Sequence, residues 1–106
     1  MILDENKVSC CTLIADCIMP SKKEEGYRFS YAYNVPAKQA AEYMNFINET
    51  FAYFGQPCSR VYVSGFVLST RSSVWDKERI VSQVKMITER NNTLINEESN
   101  FLHRQK

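Results

Sequence analysis

Paired positions, mostly apolar, recur every seven residues through the C-terminal third of the chain: Ile80 and Val81, Ile87 and Thr88, Leu94 and Ile95, Phe101 and Leu102, with Val84 and Asn91 between them. This spacing is helical. It predicts one helix over residues 73–103, with Ser73 as N-cap and Asp76 as its capping-box partner. At about 1.5 Å per residue such a helix is roughly 45 Å long, more than is needed to cover a small sheet. In heptad terms Ile80, Ile87, Leu94 and Phe101 take d positions, while Lys77, Val84, Asn91 and Glu98 take a positions. Two charged a positions argue against a true coiled coil. The reading is a broad-faced helix whose C-terminal half packs on a partner; the competing expectation is a break at Asn91 and Asn92.

Upstream the period changes to two. From Lys7 to Met19 both alternating sets, Val8/Cys10/Thr12/Ile14/Ile18 and Cys11/Leu13/Ala15/Cys17/Met19, are largely apolar, as in a strand flanked on both sides. The polar run Pro20–Gly26 then reads as a hairpin loop. Tyr27 to Val35 alternates cleanly, with Tyr27, Phe29, Tyr31, Tyr33 and Val35 on one face and Arg28, Ser30, Ala32 and Asn34 on the other, which predicts a half-buried strand. Pro36 suits the start of a helix and Gly55 its end. Between them Ala37, Ala40, Met44, Ile47, Phe51 and Phe54 form an apolar stripe, flanked by Tyr43, Phe46 and Tyr53. Arg60 to Thr70 reads as a third strand, in which Gly65 marks a bulge or a close backbone approach.

The order is β-β-α-β-α in one domain spanning residues 1–106. The expected class is α/β in the two-layer α+β sense: a three-stranded sheet in spatial order 2-1-3, two helices on one face, and a long C-terminal helix. The first two strands form an antiparallel hairpin, and the intervening helix makes the second and third parallel to each other.

Composition narrows the function classes. Thirteen basic and twelve acidic side chains give a formal charge of +1, so no broad field draws the chain to nucleic acid or an anionic membrane. No apolar run is long enough to span a bilayer and Asp4 and Glu5 stand near the start, so a soluble, cytoplasmic protein is expected. Cys10, Cys11, Cys17 and Cys58 do not form a spaced disulfide framework. They are read as reduced thiols. No metal site is expected, because Cys10 and Cys11 point to opposite faces of an extended strand.

A C-x-x-C pair, H-E-x-x-H, a P-loop and G-x-G-x-x-G are all missing, and His103 is the only histidine. The expectation is therefore no enzyme, no catalytic residues and no cofactor. Asp16, the lone strand carboxylate, is read as a partner of Arg28 or Arg60. The function expected is a small non-catalytic, homodimeric protein–protein interaction module: an inhibitor, adaptor or regulator. Its dimer or partner interface is assigned to Ile87, Asn91, Leu94, Ile95, Phe101 and Leu102. The alternative is a nucleic-acid- or nucleotide-binding module using the sheet face or dimer junction. Arg28, Arg60 and Arg71 with neighbouring aromatics are its candidate contacts, over an aromatic platform of Phe29, Tyr31, Tyr33, Tyr62 and Phe66, while Tyr43, Phe46, Tyr53 and Trp75 are candidate hot spots for a partner protein.

Overall fold

In the computed structural model the described residues are 6–18 and 28–104, with side chains described through Thr93 except that of Ile18. Three strands, β1 (Lys7–Ile18), β2 (Arg28–Pro36) and β3 (Cys58–Thr70), and two helices, α1 (Ala40–Tyr53) and α2 (Lys77–Arg104), follow one another as β1-β2-α1-β3-α2. The sheet order is β2-β1-β3, and both neighbours run antiparallel to β1. β2 and β3 are thus parallel to each other without touching. The apolar character of both faces of β1 explains its central place: Cys11, Leu13, Ala15 and Cys17 lie under the helices, while Cys10 is buried on the opposite side, in register with Pro36 and Val67.

Both helices cover one face. Leu13, Tyr33 and Val35 meet Ile47 and Phe51 of α1 and Ile80 and Val84 of α2, each 0–1% exposed. Burying side chains of this kind is worth about 1.5–3 kcal/mol apiece. The Tyr33 hydroxyl escapes an unsatisfied burial by donating to Gln83 Oε1, and its ring takes the edge-on Trp75 at 5.0 Å. Tyr43, read from the sequence as a flank of α1, belongs to the core at 8% exposure.

The chain punctuation follows local chemistry. A single 3₁₀ turn over Ala37–Gln39 leads into α1. At its other end Gly55 takes φ 70°, and the Gly55 and Gln56 N–H groups return to the Ala52 and Phe51 carbonyls. These are the two bonds of a Schellman closure. A second 3₁₀ turn, Arg71–Ser73, delays α2 beyond the expected start. The N-cap is Asp76 rather than Ser73: its carboxylate accepts the Arg79 N–H at 2.8 Å, while the Ser73 hydroxyl donates to the Thr70 carbonyl. A carboxylate following the extended Val74 serves the helix end better than a serine already held in a turn.

α2 runs unbroken through Asn91 and Asn92 to Arg104. Asparagine costs a helix interior only a fraction of a kcal/mol. At Asn91 a buried bond from its amide to Gln56 Oε1 (2.8 Å) stands against that cost.

Candidate interaction surface

β3 differs from β2 in how its outer edge is treated. On β2, the Trp75 N–H donates to the Asn34 carbonyl at 2.8 Å, and Arg90 reaches the Tyr31 hydroxyl and lies over the Phe29 ring. The segment before α2 thus engages one backbone group of the β2 edge, and a later turn of α2 covers aromatic side chains beside it. β3 ends the sheet on the other side, and among the described residues no backbone hydrogen bond engages its free edge. Alternate residues of an edge strand direct their N–H and C=O groups outward, where another strand can pair with them.

Exposed apolar side chains cluster in the second half of this strand. The pairing of β1 with β3 steps from Thr12↔Gly65 to Leu13↔Val63, leaving Ser64 as an extra residue. This bulge shifts the alternation by one. As a result Phe66 and Leu68 fall on the helix-facing side, in register with Cys11 and Ser9, and Val67 falls on the outer side beside Cys10. The helices do not reach that corner: Phe66 is 73% and Leu68 58% exposed, with Val63 and Val67 also open. Gly65, expected to mark a bulge or a close approach, adjoins the bulge; a Cβ there would meet nothing within 4 Å. Its lack of a side chain thus leaves the strand open on the outside rather than serving internal packing.

A second apolar depression lies in the helix layer, where Phe46, Thr50, Tyr53 and Phe54 of α1 face Val81 of α2. Tyr53 is almost wholly exposed there, with its ring edge-on to Phe54 at 5.1 Å. Lys77 sits over the Phe46 ring and pairs with Glu42 at 3.1 Å.

The outer sheet face is polar in two bands. Thr12 donates to Asn34, whose amide reaches Ser69. Farther along, the Asp16 carboxylate accepts from Ser30 (2.7 Å) and from Arg60 (2.8 Å), and Arg60 stacks over Tyr62. The Ser30 hydroxyl first, and then Arg60, hold the Asp16 carboxyl below its ordinary range.

The predicted site residues separate in the structure. Ile87 and Asn91 are 7% and 6% exposed and pack on the chain's own core, continuing the stripe of Ile80 and Val84. The side chains of Leu94, Ile95, Phe101 and Leu102 lie outside the described residues, although their backbone is helical. Arg28 and Arg60 belong to the Asp16 end of the sheet, whereas Arg71 follows Thr70 at the opposite end, which pairs with Lys7. Trp75 is half-buried between Tyr33 and the guanidinium of Arg79, 3.8 Å from its ring centre. The aromatic platform does not form: Phe29, Tyr31 and Tyr33 face the helices, Tyr62 faces the other way, and Phe66 stands two strands from β2. Sequence reasoning missed Val63, Val67 and Leu68 as surface residues. The signal was present in a thirteen-residue strand with Arg60 as its one charge.

No protein-family model matches this chain, and no curated protein or solved structure is significantly similar to it. The reading of the surface therefore rests on its own geometry. Among the described residues no group of three or more His, Cys, Asp or Glu side chains is placed to share a metal ion, and no helix is long and apolar enough to cross a membrane.

Proposed function

We propose that the protein is a small non-catalytic interaction module that self-associates through β3 and uses its remaining surfaces to regulate a partner protein. The observation that carries this reading is the open apolar edge at Phe66, Val67 and Leu68. A second copy is the occupant that fits it. In an antiparallel pair of β3 strands with its twofold axis at Val67, Phe66 of each copy stands opposite Leu68 of the other, and Gly65 stands opposite Ser69. Phe66 and Leu68 share one face of the sheet, so they form cross-strand apolar pairs. Arg60 falls outside the overlap, so the two copies bring no like charges together. Symmetric contacts of this kind close on themselves as a dimer.

The paired segment is short, so the interface belongs to the weak, transient class that buries less than about 1,200 Å² in total. A dimer in the micromolar range is the expected consequence. α2 continues as helix beyond Asn91 to Arg104. Its Leu94, Ile95, Phe101 and Leu102 repeat supplies the surface for the regulated partner. The separation of Arg28 and Arg60 from Arg71 favours this reading over nucleotide or nucleic-acid binding, which needs convergent cations.

Sedimentation equilibrium of the full chain from low micromolar to several hundred micromolar tests the proposal. A monomer–dimer equilibrium supports it. A mass that stays monomeric throughout refutes self-association.

A further inference from the structure

The ends of β1 and β3 bring two thiols together. Cys17 and Cys58 are direct register partners, placed just past a second irregularity in which Ser59 is the extra residue. Directly opposed residues of antiparallel strands have Cα atoms about 4.5–5.5 Å apart, within the span of about 4.4–6.8 Å that a disulfide bridges. Both side chains lie on the helix side, Cys17 inside the buried cluster and Cys58 packed against it. Their surroundings differ. Cys17 is 7% exposed, whereas Cys58 is half-buried and follows Pro57 at the surface. The contact between the two sulfurs pushes the Cys17 thiol up and holds the Cys58 thiol down. Cys10 and Cys11 have no comparable arrangement, being adjacent on one strand and buried on opposite faces.

We propose that Cys17 and Cys58 form a reversible cross-strand disulfide, with a low-molecular-weight disulfide such as oxidised glutathione as the oxidant. The Cys58 thiolate attacks one sulfur of the oxidant; a Cys58–glutathione bond forms, the oxidant's S–S bond breaks, and one glutathione thiolate leaves. Cys17 gives up its proton and attacks the Cys58 sulfur, forming the Cys17–Cys58 bond and expelling the second glutathione thiolate. The two protein thiols lose two protons and two electrons, and one disulfide becomes two glutathione thiols. Cys58 is the entry point because it is accessible; Cys17 resolves the adduct because it is already in register. Since Cys58 opens β3, the bond ties the exposed edge strand to the centre of the sheet.

The test treats the reduced full chain with oxidised glutathione, alkylates the remaining thiols, and reads intact mass and a peptide map without reductant. The expected product has lost two of its four free thiols, carries no glutathione, contains one linked peptide pair holding Cys17 and Cys58, and reverts with dithiothreitol. Cys17→Ser is expected to stop at a glutathione adduct on Cys58. Cys58→Ser is expected to leave Cys17 unmodified. A wild-type chain that stops at the Cys58 adduct, or forms its bond through Cys10, Cys11 or a second chain, would overturn the proposal.

Discussion

Replacing Phe66 with glutamate isolates the contribution of the open edge. Phe66 is 73% exposed in the single chain, so its removal takes little from the core and the variant is expected to fold. In the proposed dimer the same ring is covered by Leu68 of the other copy. Full burial of a phenylalanine is worth about 1.5–3 kcal/mol; the exposed share is then about 1–2 kcal/mol. Twofold symmetry counts the loss twice, giving about 2–4 kcal/mol per dimer. At 1.4 kcal/mol for each tenfold change, the dissociation constant rises roughly 30- to 700-fold, before the cost of desolvating two carboxylates is added. Sedimentation equilibrium over matched concentrations reads this directly, with far-ultraviolet circular dichroism as the check on folding. A dimer constant within about threefold of wild type in a folded variant would refute the β3 interface, because a substitution on the symmetry-related pair cannot be silent.

Three further expectations concern the scaffold. Gly55→Ala places a Cβ on a residue at φ 70°, and should lower unfolding stability by about 1–2 kcal/mol in urea titration, without changing dimer affinity. Ile80→Ala empties a fully buried position between α2 and the sheet and should cost about 2–5 kcal/mol, read as a lower urea midpoint at unchanged slope. Asp16 has a depressed folded-state pKa, chiefly through Ser30 and then Arg60. Its contribution is therefore complete above the unfolded value of about 3.9 and is lost as pH falls below that through the folded value. Asp16→Asn should accordingly lie below wild type in stability at neutral pH, and the gap should narrow in acid; a gap constant down to pH 2 would count against the assigned pairing.

Much of the architecture could be read from the chain. β1 is central because neither of its faces is mainly polar, and a place between two strands shields both better than an edge does; the order β2-β1-β3 agrees with that. The step of three and four in α1 gave the right helix, with Gly55 at its end. Features that depend on pairing were harder to see. Gly65 hinted at the bulge, but not at its exact place or at its effect: the extra residue Ser64 moves Phe66 and Tyr62 to opposite faces, which breaks up the aromatic platform. The seven-residue repeat of α2 is legible, but periodicity does not say what covers a face: Ile80, Val84, Ile87 and Asn91 meet the chain's own core. The Cys17 and Cys58 pairing joins residues far apart in sequence, and only the register between β1 and β3 reveals it. The expected loop over Pro20–Gly26 lies outside the described residues.

The central place of β1 also sets the order in which the chain can fold. β1 is first in sequence, yet one of its two neighbours is the last strand, so Lys7 waits for Thr70 before its pairing is complete. The β1–β2 hairpin closes a short loop and can assemble early, whereas the β1–β3 ladder carries the larger closure entropy. Until residues 58–70 have emerged from the ribosome, the nascent chain presents β1 with one bare edge and a row of Cys11, Leu13 and Ala15. An apolar strand waiting in that state is a template for association between growing chains.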